Sequence, residues 1–169
     1  MSNKTIVKYK GYVQLKIKIN DKVITVKDHN NGLPYLQKVF CNFLIGNLIT
    51  IEDIPECLDV RRQENGSSPW VSYLLSKIHL TSKSWNIETE SGVDNYIATF
   101  TAVIPSTSLI QPISKSDTGN FRLYLQTGAL SPTTGYNDLA YLDISAEELS
   151  KISPGTQAII EWSMKLLLS

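Results

Sequence analysis

The chain has 169 residues, 42% of them apolar and 19% charged, with 16 basic side chains balanced by 16 acidic ones. A chain of this length buries about 70% of the surface its unfolded form exposes, so one domain over residues 1–169 is expected. Zero net charge excludes a global basic field that would gather nucleic acid, and no run reaches the roughly 20 apolar residues of a membrane span.

Strand signals open the chain. Val13, Leu15, Ile17 and Ile19 alternate with Gln14, Lys16 and Lys18, and Lys22-Val23-Ile24-Thr25-Val26 follows Asn20-Asp21. If Asn20-Asp21 is a two-residue loop, Ile17 faces Ile24 and Leu15 faces Val26, so turn and pattern agree on a hairpin. Asp28-His29-Asn30-Asn31-Gly32 reads as a turn cluster. It leads into an amphipathic helix over residues 34–46, with Pro34 in its first turn and Gly46-Asn47 at its end. Leu36, Val39, Phe40, Phe43 and Leu44 form its apolar face, expected to pack on a sheet or to plug one end of a sandwich.

Residues 48–73 read as irregular, with a short strand near Ile54–Val60 and an exposed loop from Arg61 to Pro69. From Ile78 the two-residue period resumes, through Leu80 and on to Trp85 and Ile87, before a turn at Glu90–Asp94. Tyr96, Ala98, Phe100, Ala102 and Ile104 alternate with polar residues in a strand ended by Pro105. Residues 105–119 read as a Ser/Pro/Thr-rich loop, Phe121–Leu125 as a strand, Thr127–Asn137 as a second polar loop and Leu139–Ile144 as a strand. Ser145-Ala146-Glu147-Glu148 fits a capping box for one helical turn, and Pro154-Gly155 introduces a last strand. There Ala158, Ile160, Trp162, Met164, Leu166 and Leu168 share one parity, which predicts one face in a core and one in water. About eight strands with one clear helix predict a mainly β fold, an antiparallel β-sandwich of jelly-roll or Ig-like type.

The charges are unevenly spread. Residues 1–27 hold seven lysines, Lys10, Lys16 and Lys18 among them, against Asp21 alone. From residue 130 onward stand Asp138, Asp143, Glu147, Glu148 and Glu161 against Lys151 and Lys165. Ends of opposite sign can stack head to tail in a ring, with Lys10, Lys16 and Lys18 meeting Asp138, Asp143 and Glu147 of the next copy. Solvated strand faces of differing charge are the plainer alternative. Cys41 and Cys57 are the only cysteines, and the opening Met-Ser-Asn-Lys-Thr has no apolar signal core, so reduced thiols and synthesis in the cytoplasm are expected.

An enzyme needs a constellation, and the candidates in this chain are thin. His29 falls in the predicted turn and His79 on the polar parity of its strand. Cys41 reads as a small buried apolar residue on the helix, and Cys57 has no partner at metal-site spacing. The glycines are dispersed, with no phosphate-binding loop or nucleophile elbow. No catalytic residue, metal ligand or cofactor is expected. Arg61-Arg62 is a weak phosphate signal, short of nucleic-acid readout. Aromatic residues carry the competing idea. Among Trp70, Tyr73, Trp85, Tyr124, Tyr136 and Tyr141, the loop members Trp70 and Tyr136 are suited to stack on sugars, whereas strand aromatics such as Trp85 and Trp162 more usually pack in cores or interfaces.

The turn His29-Asn30-Asn31-Gly32 running into the apolar helix, the Ile54-Pro55 segment, the strand Ala98-Thr99-Phe100-Thr101-Ala102-Val103-Ile104-Pro105 and the closing Ile159-Ile160-Glu161-Trp162 together resemble a tailed-phage virion protein. The layout is similar to that of tail-ring, neck or auxiliary head β-sandwich components of Bacteroides-infecting, crAss-like podophages. The resemblance implies a non-enzymatic structural subunit that is synthesised and assembled in the host cytoplasm and resides in the virion. It would form a homo-oligomeric ring beside other virion structural proteins, without insertion into membranes. It supplies no catalytic residues. The alternative on the same fold is a carbohydrate-binding module or host-receptor adhesin using Trp70 and Tyr136.

Overall fold

A computed structural model describes residues 9–19, 22–29, 31–32, 34–47, 50–105, 108–129, 135–152 and 158–168. Strands β1 (Tyr9–Ile19) and β2 (Lys22–His29) form the expected hairpin, with Leu15 opposite Val26 and Ile17 opposite Ile24. Its Asn20-Asp21 turn lies outside the described residues. The predicted turn at Asp28–Gly32 is corrected in part. β2 keeps its register with β1 as far as Tyr12 opposite His29, and Asn31–Gly32 forms a two-residue strand, β3. Asn30 lies outside the described residues.

Helix α1 (Pro34–Leu44) ends where glycine permits, at Gly46 with φ +75°. Only its first half packs as expected. Tyr35, Leu36 and Val39 lie against the core, but Phe43, Leu44 and Ile45 are exposed, and so is Cys41, which the sequence reading had placed inside.

After a short 3-10 turn (Ile51–Asp53) comes β4 (Pro55–Gln63), longer than expected because Arg61 and Arg62 stay in the ladder. Five further strands follow: β5 (Val71–Ser72), β6 (Ile78–Glu90), β7 (Val93–Ile104), β8 (Asn120–Thr127) and β9 (Asp138–Ile144). Helix α2 (Ala146–Ser150) carries the capping box read from sequence: the Ser145 hydroxyl accepts from the Glu148 amide, and Glu148 reaches back to the Ser145 amide. β10 (Ala158–Leu168) closes the sheet between β1 and β7. Pro154-Gly155, expected to introduce it, lies outside the described residues.

The strands run β2-β1-β10-β7-β6-β4-β8-β9-β3, every pair antiparallel, with β5 attached to β4. This is one curled sheet, a half-barrel, and it replaces the two-sheet sandwich that strand counting suggested. The cause is β6. Its first residues, Ile78 and His79, pair with Leu58 and Cys57 of β4; Leu80 pairs with Ala102 of β7, and after a bulge between Leu80 and Ser82 the strand continues along β7. One strand therefore bonds both halves together, and the bulge supplies the bend.

The inner face of the curl holds the core. Leu58 and Val60 from β4, Leu123 and Leu125 from β8, Ala140 and Leu142 from β9, and Ala102 and Ile104 from β7 meet Ala158, Ile160 and Trp162 of β10 there. The alternation predicted for the last strand holds over these three residues, with Met164 packed against them. Trp162 has no exposed surface, and neither it nor its neighbours supply a partner for its indole nitrogen. Leu149 of α2, Ile152 and Ile113 fill the ends of this core.

β7 departs from its pattern. Ala102 and Ile104 are buried, as the period requires, but Tyr96, on the same parity, is 57% exposed, while Asn95 and Ile97 are buried on the opposite face. The strand outruns the core that its alternation was expected to serve.

Candidate functional site

Three surface features stand out, and each begins with strand geometry. On β4, β8 and β9 the inner-facing apolar residues alternate with charged and aromatic ones, and pairing brings those outer residues into rows. Arg61 lies opposite Arg122, itself opposite Asp143. Asp59 lies opposite Tyr124, itself opposite Tyr141. The guanidinium of Arg61 sits 4.1 Å from the Tyr124 ring centre, and that of Arg122 lies between Tyr141 at 4.1 Å and Trp70 at 4.2 Å. Tyr124 and Tyr141 are 5.6 Å apart. Trp70, Arg122, Tyr141, Tyr124 and Arg61 thus form one stacked ladder of rings and cations.

At the inner end of this ladder lies a buried charge cluster that the sequence reading missed. Asp59 is wholly buried although it faces outward from β4. It accepts from Arg61 Nε at 2.8 Å and Ser72 Oγ at 2.6 Å, and it pairs with Lys77. Arg61 also holds Asp138 through both terminal nitrogens at 2.8 Å, and Gln126 donates to the same carboxylate at 2.6 Å. Burial works against the Arg61 charge, but its bonds to Asp138 and Asp59 outweigh that and raise its pKa. Burial pushes the neighbouring Cys57 thiol up to about 12, with Lys77 pulling the other way, so it is no nucleophile. The one available signal was Asp59-Val60-Arg61, two opposite charges two residues apart on one strand face.

Arg61 and Arg62 do not act together. Adjacent strand residues point to opposite faces, and Arg62 instead bonds Asp117 at 2.9 Å beside the rings of Tyr73 and Phe121. His79 is exposed, as its parity predicted. The side chain of His29 lies outside those described. Among the described residues no three His, Cys, Asp or Glu side chains are placed to hold a metal ion, and no helix is long and apolar enough to cross a membrane.

The second feature is a cleft of about 700 Å³ beside the ladder, lined by Trp70, Gln63, Asn120, Arg122, Asp143 and Glu148 among others. Trp70 is half-buried, with the Arg122 guanidinium against its ring. Tyr136 is not among the lining residues: it lies under the Lys77 ammonium, 5.8 Å from its ring centre. The two proposed platform residues therefore do not line one cleft.

The residues proposed for a charged interface are mostly engaged within the chain. Lys18 pairs with Glu161, Asp138 with Arg61, Asp143 with Arg122 at 2.7 Å, and Glu147 with Lys151 at 3.7 Å. Lys16 is half-buried on β1, opposite Glu161, and the side chain of Lys10 lies outside those described.

The third feature is the β6–β7 hairpin. Ser91 (φ 53°) and Gly92 (φ 79°) form a two-residue turn with both residues left-handed, which matches the twist of the flanking strands. Every residue from Thr81 to Asp94 is exposed. Trp85 is 69% exposed and Ile87 46%, and with Tyr96 they stand on the face that is core-facing further down the hairpin. The Trp85 and Tyr96 rings are 6.0 Å apart. Salt bridges from Lys83 to Glu56 and from Lys165 to Glu90 tie the hairpin to its neighbours.

No protein-family model, curated protein or solved structure matches this chain.

Proposed function

We propose that this chain is a non-enzymatic structural subunit of a tailed-phage virion, assembling with further copies of itself in a ring of the neck or tail. The observation that carries the assembly reading is the β6–β7 hairpin, which extends the apolar inner face past the core and presents Trp85, Ile87 and Tyr96 to solvent. Contiguous exposed apolar surface of this kind marks contact with another protein. The virion setting rests on the resemblance in layout, and other virion proteins are the further neighbours it implies. Mass photometry of the purified protein tests the reading: a discrete oligomer is expected, and a monomer at every concentration overturns self-assembly. A salt series separates the interfaces. An oligomer held by the hairpin persists at high salt, whereas one held by Lys10, Lys16 and Lys18 against Asp138, Asp143 and Glu147 falls apart.

The cleft beside Trp70 favours a second reading, a saccharide-binding surface of an adhesin or carbohydrate-binding module. An indole flanked by planar polar side chains is the chemistry that recognises sugar rings. A glycan array tests it: binding abolished by Trp70→Ala supports it, and no bound glycan refutes it.

A further inference from the structure

We infer that two copies of this chain join edge to edge through β6, in an antiparallel pair whose two-fold axis passes through Asn86. This rests on the self-assembly reading above and names the strand, register and symmetry of one contact: a two-fold pair closes a dimer, so in a ring a second, different surface links the pairs. Two independent features of β6 meet at the same place. The first is its backbone. β4 pairs with it only at Ile78 and His79, and beyond these no described strand occupies that edge, so the amides and carbonyls along it as far as Glu90 are open to a partner strand. A long open edge is a template for another strand unless something blunts it; this stretch has neither proline nor glycine, its bulge lies at its start between Leu80 and Ser82, and its one lysine, Lys83, is neutralised by Glu56. The second is the exposed apolar pair, Trp85 and Ile87, two residues apart on that same edge strand.

Asn86 lies midway between Trp85 and Ile87. A two-fold axis there sets Trp85 of each copy directly opposite Ile87 of the other, on one face, with Tyr96 behind. The same register sets Lys83 opposite Thr89, Ser84 opposite Glu88 and Ser82 opposite Glu90, so no like charges are directly opposed. Centring the axis on Trp85 sets Lys83 against Ile87, and centring it on Ile87 sets Trp85 against Thr89. Only the Asn86 register matches both apolar residues. The occupant of this edge is thus a second copy, because the pattern is complementary to itself.

Crosslinking and sedimentation test it on the full chain. In a Cys41→Ser background, Asn86→Cys places one thiol on the axis facing its own counterpart, and mild oxidation gives a disulfide dimer. Glu88→Cys lies four residues out of register with its counterpart, roughly 13 Å at about 3.3 Å per residue, and stays monomeric on a reducing-agent-free gel. Ile87→Lys, at an exposed position, keeps the far-ultraviolet circular dichroism of the parent and weakens self-association more than tenfold by sedimentation equilibrium. Trp85→Glu does the same. An oligomer that survives both substitutions, or that crosslinks through position 88 and not 86, overturns this inference while leaving self-assembly standing. A wild-type chain that is monomeric throughout overturns both.

Discussion

Replacing Arg61 by methionine removes the cation that holds two carboxylates at once, and keeps an unbranched stem over Tyr124. The two carboxylates differ in what they lose. Asp59 has no exposed surface, and breaking a buried pair by deleting one partner costs about 3–5 kcal/mol. Lys77 and Ser72 remain on Asp59, which places the loss near the lower bound, about 3 kcal/mol. Asp138 is 28% exposed at its side chain and regains water, so it adds little. For a chain of this size the expected fall in Tm is about 6–12 °C. Arg122→Met is the matched control: it stacks on two rings as Arg61 does on one, but its partner Asp143 is 56% exposed, and its loss is about 1 kcal/mol. Urea unfolding at neutral pH, in low salt and in about 1 M salt, measures both. The Arg61 loss persists at high salt because Asp59 is out of reach of ions. If Arg61→Met costs less than about 1 kcal/mol, or no more than Arg122→Met, then burial of Asp59 is not what gives the cluster its strength.

Thiol labelling near pH 8 is expected to modify Cys41 quickly, since it is exposed, and Cys57 only when the protein unfolds, since burial pushes its pKa up to about 12; two fast thiols would refute this. Because the folded-state pKa of Cys57 is raised from 9.0, its contribution to stability is present below pH 9 and falls away as pH rises toward 12, a decline that Cys57→Ala reduces in alkaline urea titrations. Ser145→Ala removes the hydroxyl half of the capping box and costs about 1 kcal/mol by thermal unfolding, whereas Ser145→Asp is close to neutral. Trp162→Ala opens a cavity where no surface is exposed and costs about 3–5 kcal/mol, while Trp85→Ala, exposed on the single chain, leaves Tm within about 1 °C at concentrations where the chain is monomeric.

Features governed by neighbours in the sequence were legible in it. The β1–β2 register follows from a short connection and matching alternation, the α2 cap from Ser145 and Glu148, and the inner face of β10 from Ala158, Ile160 and Trp162. What alternation cannot report is where the core stops. Tyr96 keeps the parity of the inner face of β7 after the opposing elements have ended, and the bulge in β6 turns Trp85 and Ile87 to that same face, so the pattern reads as burial where there is solvent. The exposed end of α1 misleads for the same reason: an apolar stripe states a preference, and tertiary packing decides how much of it is met. Arg61 and Arg62 looked like loop residues because their counter-charges, Asp138 and Asp117, are distant in sequence. The sandwich expectation failed on a single element, since counting strands does not show that β6 belongs to both halves. For the cleft, the sequence pointed to Trp70, and only pairing of β4, β8 and β9 placed Arg122 and Asp143 beside it.

The place of β10 between β1 and β7 also fixes an order of events during synthesis. The β1–β2 hairpin leaves the ribosome well before β7, yet the strand that joins the two begins only at Ala158. Until then one edge of β1 and one edge of β7 both wait unpaired, and closing that gap means closing a very long loop. The nascent chain therefore holds open edges until β10 has emerged, which is the interval in which a crowded neighbour, including another nascent copy, can trap it.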